Sequence, residues 1–239
     1  MDFQFQPIGI IHSCYKEKFG IPRQSGLVTA AEATLELYAP YDCREALVEL
    51  EGFSHIWVVF VFHQTKRQDW KPTVRPPRLG GNQRIGVFAS RSPFRPNPIG
   101  LSAVMLEGID CTGGHCQLRL RGADLLDGTP VLDIKPYLPY ADAVPGARAG
   151  YAALAPDSGL TVRFNEMAAQ QCAALEQSGF PGLQQLIEQM LQADPRPAYW
   201  VGSEEQKYFG MRVHDFDVQW SATGQVIEVL DIKPVTESK

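Results

Sequence analysis

Three stretches of the chain collect side chains able to grip a polar, partly charged ligand. In Ser90-Arg91-Ser92-Pro93-Phe94-Arg95-Pro96-Asn97-Pro98-Ile99-Gly100-Leu101, three prolines and a glycine stiffen the backbone while two arginines and an asparagine are presented. A backbone frozen before binding loses less entropy when it closes on a ligand, which suits a preformed site; a rigid connector between strands would look similar. The second stretch runs from Asp124 to Tyr137 and begins with a turn, Asp127-Gly128-Thr129-Pro130. Turn chemistry does not account for Asp133 and Lys135, which alternate with Leu132 and Ile134. One face of that strand therefore carries a carboxylate and an ammonium together. In the third, the apolar run Phe60-Val61-Phe62 ends in His63 and Gln64, two hydrogen-bonding side chains at a strand terminus. A lone histidine there is commonly structural, but beside the other two stretches it becomes the rim of one pocket.

The familiar nucleotide fingerprints are missing. There is no Gly-x-Gly-x-x-Gly and no Gly-x-x-x-x-Gly-Lys-Ser/Thr, so a nucleotide-like ligand would need another architecture. Nor is there a Gly-x-Ser-x-Gly or a His-Glu-x-x-His to support a serine hydrolase or zinc protease. The five cysteines form an odd set without Cys-x-x-Cys and read as reduced thiols. Cys111, His115 and Cys116 lack a second ligand pair and read as strand and turn residues, so no metal is expected.

The elements that must position these groups are mostly strands. Phe3 to His12, Leu35 to Tyr38, Ile56 to Phe62, Ile85 to Ala89, Leu101 to Leu106, Cys116 to Leu120 and Val131 to Ile134 are short, apolar or β-branched, and bounded by Gly or Pro. One short helix competes, around Arg44 to Leu50. So little helix cannot supply right-handed crossovers, which predicts a mainly β fold with an antiparallel, barrel-like sheet. Past Tyr140 an Ala, Gly and Pro-rich stretch marks a boundary, giving a β domain over 1–143 and a smaller α+β domain over 144–239. In the second domain Asn165 caps a helix to Gln177 and Pro181 opens another to Gln192. A meander follows over Lys207 to Val213, Phe216 to Trp220 and Val226 to Ile232.

Net charge is −5, yet residues 61–100 hold eight basic residues against one acidic, a local +7. A polyanionic partner is compatible with that segment although the whole chain is acidic. The longest apolar run, Ile56 to Phe62, is too short to cross a bilayer, and the N-terminus does not read as a signal peptide, so a cytoplasmic protein without membrane contact is expected.

Together with Lys16-Glu17-Lys18-Phe19, Pro22-Arg23-Gln24-Ser25-Gly26, the run from Pro72 to Gly81 and the Arg91 to Gly100 loop, these residues resemble the TsaA-like family. With Asp194-Pro195-Arg196-Pro197-Ala198-Tyr199 added, the whole chain resembles the bacterial tRNA N6-threonylcarbamoyladenosine methyltransferases. The resemblance implies a homodimer whose β-barrel binds S-adenosylmethionine outside the Rossmann class and methylates N6 of threonylcarbamoyladenosine at tRNA position 37. It implies cofactor contacts at Pro22, Arg23, Gln24, His63, Gln64, Arg91, Leu101, Asp124, Leu125, Asp127 and Gly128. In those roles Arg91 or Arg23 would take the carboxylate, Asp124 or Asp127 the ribose diol, and Leu101 and Leu125 the adenine faces.

The acceptor nitrogen must lose a proton, for which Asp127, Asp133 and His63 are candidates, with Lys135 or Tyr137 stabilising charge on the neighbouring carbonyl. Lys66, Arg67, Lys71, Arg75, Arg78, Arg84 and Arg95 would contact the anticodon arm; Arg196 and Tyr199 could add a cation and a stacking surface, or sit in a loop whose two prolines serve to end a helix. Two other readings compete: methyl transfer to a small molecule or protein, and a non-catalytic RNA-binding module.

Overall fold

The computed structural model describes residues 3–65, 70–200 and 203–235. In chain order the first strands are β1 (Gly9–Ser13), β2 (Glu32–Leu37), β3 (His55–Val61), β4 (Thr73–Val74), β5 (Ile85–Gly86), β6 (Ile99–Thr112), β7 (His115–Arg121) and β8 (Thr129–Pro136). Six of them close an antiparallel barrel in the order β1-β2-β7-β6-β3-β8, while β4 and β5 form a separate ribbon. The barrel follows from alternation. In β3 every second residue, Ile56, Val58 and Phe60, is buried, and β6 and β7 repeat the pattern with Val104, Leu106, Leu118 and Leu120. Gly100 has a specific duty here, because a Cβ on it would lie 2.2 Å from the Phe60 ring. Only glycine lets that ring fill the barrel end.

After α1 (Pro139–Asp142) an exposed, irregular stretch leads to the second lobe. That lobe holds β9 (Thr161–Phe164), α2 (Glu166–Gln177), α3 (Leu183–Gln192), β10 (Lys207–Val213), β11 (Phe216–Thr223) and β12 (Val226–Pro234). Its sheet runs β10-β11-β12-β9, with β9 parallel to β12. Asn165 caps α2 as expected, its side chain accepting from the Ala168 amide at 2.7 Å. α3 buries Leu183, Leu186, Ile187, Met190 and Leu191, the spacing of one helical face.

The two lobes are not packed separately. Cys14, Tyr15, Val28 and Ala31, from the connection between β1 and β2, lie in the core built around Trp220, Met190 and Ile187. Tyr15 bridges to Val213, the His214 amide donates to the Cys14 carbonyl at 2.8 Å, and Gln189 accepts from the Ala30 amide at 2.9 Å. The β1–β2 connection is thus clamped by the second lobe.

Several expectations need correction. The segment around Arg44 to Leu50 forms two 3-10 turns, Arg44–Leu47 and Leu50–Gly52, because Glu49 takes a left-handed conformation (φ 66°) that a continuous helix cannot pass through. Strand pairing after Ile85 lasts two residues and gives way to a 3-10 turn at Val87–Ala89. The second helix starts at Leu183, since Gly182 is itself left-handed. Cys111 and Cys116 are joined by a disulfide rather than reduced. They are direct cross-strand partners in the β6–β7 hairpin, whose turn is made by Gly113 and Gly114, both at positive φ, so register brings the two sulfurs together.

Candidate functional site

At one end of the barrel the β1–β2 connection, the end of β3, the stiff 91–100 loop and the turn leading into β8 converge. The Arg91 guanidinium donates to the Gln24 side-chain carbonyl, and Lys18 donates to the Gln64 carbonyl at 2.7 Å. His63 Nδ1 stands 3.5 Å from the Thr129 hydroxyl, and a Cβ on Gly128 would come within 4.0 Å of His63 Nε2. Asp127 accepts from the Ser13 amide at 2.9 Å and from the Lys16 ammonium at 2.9 Å. Of the residues expected to hold the cofactor, Gln24, His63, Gln64, Arg91, Asp127 and Gly128 are therefore brought together by these four segments, and Asp124 joins them through the Arg91 charge.

Asp124 carries the clearest ligand signal. Its Oδ1 is buried with no hydrogen-bond partner in the protein. Burial pushes its carboxyl pKa up, opposed by the Ser102 hydroxyl, the Asp124 and Ser25 backbone and the Arg91 charge. An orphaned acceptor of this kind costs about 1–3 kcal/mol and calls for a donor from outside, such as a sugar hydroxyl. With Arg91 exposed beside it for a carboxylate, the residues fit a ligand that combines a ribose with an amino acid group.

His63 is half-buried, and burial together with the Lys18 charge lowers its pKa below the ordinary imidazole value, opposed by a hydrogen bond to the Val61 carbonyl. A lowered pKa leaves the ring neutral near pH 7 and able to take a proton. Asp127 and Asp133 are each already paired with an ammonium, Asp133 with Lys135 at 2.7 Å. Asp133, Lys135 and Tyr137 lie on the outer wall of the barrel. There Asp133 pairs across Val59 with Leu101, and the Tyr137 ring leans on Trp57 at 5.6 Å.

Three sequence assignments change. Leu125 is 1% exposed and its side chain belongs to the barrel core rather than to an adenine wall, while its carbonyl accepts from the Ser13 hydroxyl at 2.7 Å. Arg196 is 4% exposed, with Nε and Nη2 on both Asp194 carboxylate oxygens and Nη1 donating to the Gly224 carbonyl. It fixes the loop after α3 and has no face for a phosphate. Arg95 donates from Nη1 to the Ser90 carbonyl at 2.7 Å and so braces its own loop.

Lys71, Arg75, Arg78 and Arg84 are exposed as expected, and Tyr199 is 78% exposed. Lys66 and Arg67 lie outside the described residues. Pro22 is buried while Arg23 is exposed. Sequence reasoning missed Ser102, whose buried hydroxyl sits against Asp124, and Lys16, which holds Asp127. Both are separated from their partners by long stretches of chain, so only the barrel register could reveal them.

A cleft of about 350 Å³ adjoins the site through Ser13 and Lys16, the partners of Asp127, and lies between β1, β2, β7 and the His214 turn. Its charged walls are engaged in pairs, Glu32 and Glu107 with Arg121 and Arg119 with Asp110, and it contains none of the predicted site residues. Among the described residues no group of three or more His, Cys, Asp or Glu side chains could hold a metal, and no helix is long and apolar enough to cross a membrane.

The chain is similar over nearly its whole length to proteins of one family. Residues 10–143 match the profile of the tRNA-methyltransferase O N-terminal domain, and residues 157–235 match that of the TrmO C-terminal domain. The tRNA (adenine(37)-N6)-methyltransferase of Escherichia coli K12 is 51% identical over 232 residues, spanning 97% of this chain and 98% of that protein. A Pseudomonas aeruginosa protein, RcsF, named for S-adenosylmethionine-dependent methyl transfer, is 50% identical over 97% of this chain and 98% of its own length. A crystal structure of TrmO from the same species superposes with a TM-score of 0.81 at 44% identity, covering 98% of both chains.

Proposed function

The chain belongs to the tRNA-methyltransferase O family, and on that premise we propose how its residues carry out the family's reaction. It is an S-adenosylmethionine-dependent methyltransferase acting on N6 of adenosine 37 in tRNA. The acceptor is the threonylcarbamoyl form of that adenosine. The observation that carries the site assignment is the buried, unpartnered Asp124 oxygen beside Arg91.

The cofactor supplies an electrophilic methyl group when bound. Asp124 would accept from its ribose hydroxyls, Arg91 would take its carboxylate with Gln24 holding the guanidinium in place, and Gln64 would offer a polar edge. His63 is assigned as proton acceptor, because its ring is held neutral while Asp127 and Asp133 are spent on Lys16 and Lys135. Positioning an acceptor nitrogen in line with the methyl carbon supplies most of the remaining acceleration. Lys71, Arg75, Arg78 and Arg84 would meet phosphates of the anticodon arm.

The resemblance also implies a homodimer. The outer wall over β3, β6 and β8 supports that reading, since it exposes Ile99, Leu101 and Met105 around Trp57 and Tyr137, an apolar surface bordered by the Asp133–Lys135 pair and suited to a second copy. Residues 1–143 and 144–239 would be its two domains, in a cytoplasmic enzyme. Incubation with labelled cofactor and tRNA with or without the threonylcarbamoyl group tests the substrate. Labelling of the modified tRNA alone is expected, and equal labelling of both overturns the assignment.

A further inference from the structure

Phe88 and Trp70 are two aromatic rings that folding leaves well exposed within the basic 61–100 segment. Phe88 is 73% exposed and Trp70 52%, with centroids 6.5 Å apart and planes inclined by 34°. The Arg95 guanidinium carbon lies 5.7 Å from the centre of the Phe88 ring, within cation–π range.

Phe88 is not a loose residue on a wandering loop. It sits on the 3-10 turn Val87–Ala89, whose Val87 is 1% exposed and whose amide donates to the Pro72 carbonyl at 2.9 Å. Arg95 and the Ser90 hydroxyl both donate to the Val87 carbonyl, and the Tyr151 hydroxyl donates to the Ala89 carbonyl at 3.1 Å. The β4–β5 ribbon pairs Thr73 with Gly86 and Val74 with Ile85 directly before the turn. An exposed ring held this firmly presents its face at little entropic cost, and the surrounding segment carries the chain's local +7 charge.

From this we infer that Trp70 and Phe88, backed by Arg95, form a stacking platform that receives an unpaired nucleobase of the tRNA loop. The proposal rests on the tRNA reading above. Charge selects the partner: the exposed Lys71, Arg75 and Arg84 of the same segment favour a polyanion over an apolar protein face. Bases stacked on aromatic rings lose binding on truncation to alanine by an amount equivalent to about five- to a hundredfold in affinity. Stacking does not neutralise phosphates, so it leaves the salt dependence of binding intact.

The test is fluorescence anisotropy with a labelled anticodon stem-loop RNA, using the full-length wild type, Phe88→Ala, Phe88→Tyr and Trp70→Ala. Each alanine variant should bind RNA about five- to a hundredfold more weakly, with an unchanged salt slope, melting temperature, oligomeric state and S-adenosylmethionine affinity. Phe88→Tyr should stay within about twofold of wild type. An abasic nucleotide walked through the loop should abolish the difference between wild type and Phe88→Ala at one position. The inference is overturned if both alanine variants bind RNA as wild type does, if tyrosine fails to substitute, or if Phe88→Ala alters the oligomeric state, which would make the rings a protein interface. Absence of RNA binding by the wild type would instead remove the tRNA reading itself.

Discussion

Replacing Asp124 by Asn should make the protein more stable and a worse enzyme. The side chain keeps its shape and loses its charge. In the native fold Oδ1 is buried without a partner, and burial raises the carboxyl pKa above the ordinary aspartate value of 3.8. Because the folded pKa is the higher one, the favourable contribution of this group is fully present below the unfolded value and is lost as pH rises through the folded value. At pH 7 the ionised carboxylate is therefore a cost, and removing it should return about 1 kcal/mol, or a melting temperature roughly 2–4 °C higher for a chain of this size. That gain should shrink as the pH is lowered toward 4 and the wild-type carboxyl takes up its proton. Cofactor binding should move the other way. Loss of a charge-assisted bond is worth about 1.5 kcal/mol or more, roughly a tenfold or larger rise in Kd. Differential scanning fluorimetry across pH and titration calorimetry with S-adenosylmethionine read the two effects. Unchanged cofactor affinity, or a fall in melting temperature at pH 7, refutes the reasoning.

Other substitutions probe the rest of the account. Arg196→Ala should destabilise the fold by about 3–5 kcal/mol, since it strands Asp194, and chemical denaturation should show this without a selective loss of tRNA affinity. Gly100→Ala drives a methyl to 2.2 Å from Phe60 and should cost about 1–3 kcal/mol in the same assay. His63→Gln should lower kcat by more than it weakens cofactor binding, as a proton acceptor lining the cofactor site would. For the wild type, the acid limb of the pH–rate profile should fall below the ordinary histidine value of 6.5, because the base must be unprotonated and its pKa is lowered. Removal of residues 144–239 should abolish cofactor binding by calorimetry, since the β1–β2 connection that carries Gln24 would lose the core into which Tyr15 and Val28 pack.

The barrel was legible because β-branched and apolar residues alternate between Gly and Pro breaks, and β3, β7 and β10 begin and end within a residue or so of where the pattern places them. Length was harder. β6 runs to Thr112 rather than stopping at Leu106, because a bulge at Leu106 to Gly108 breaks the alternation without ending the pairing. The parallel strand β9 escaped notice, being four residues long and half-exposed in alternation. Among site residues, Asp124 and Arg91 stand out by type and loop stiffness, whereas the fates of Leu125 and Arg196 depend on which neighbours the fold brings up. A leucine in a turn and an arginine between prolines look available in sequence, and only the barrel interior and Asp194 show that they are not.

The central claim is tested most directly by mass spectrometry of nucleosides from tRNA that carries threonylcarbamoyladenosine at position 37, after incubation with the enzyme and methyl-labelled S-adenosylmethionine. The account predicts one labelled methyl on N6 of that nucleoside, lowered about tenfold or more with Asp124→Asn at limiting cofactor and absent from tRNA lacking the threonylcarbamoyl group. Label on a different nucleoside, or equal label on both tRNA preparations, would contradict it.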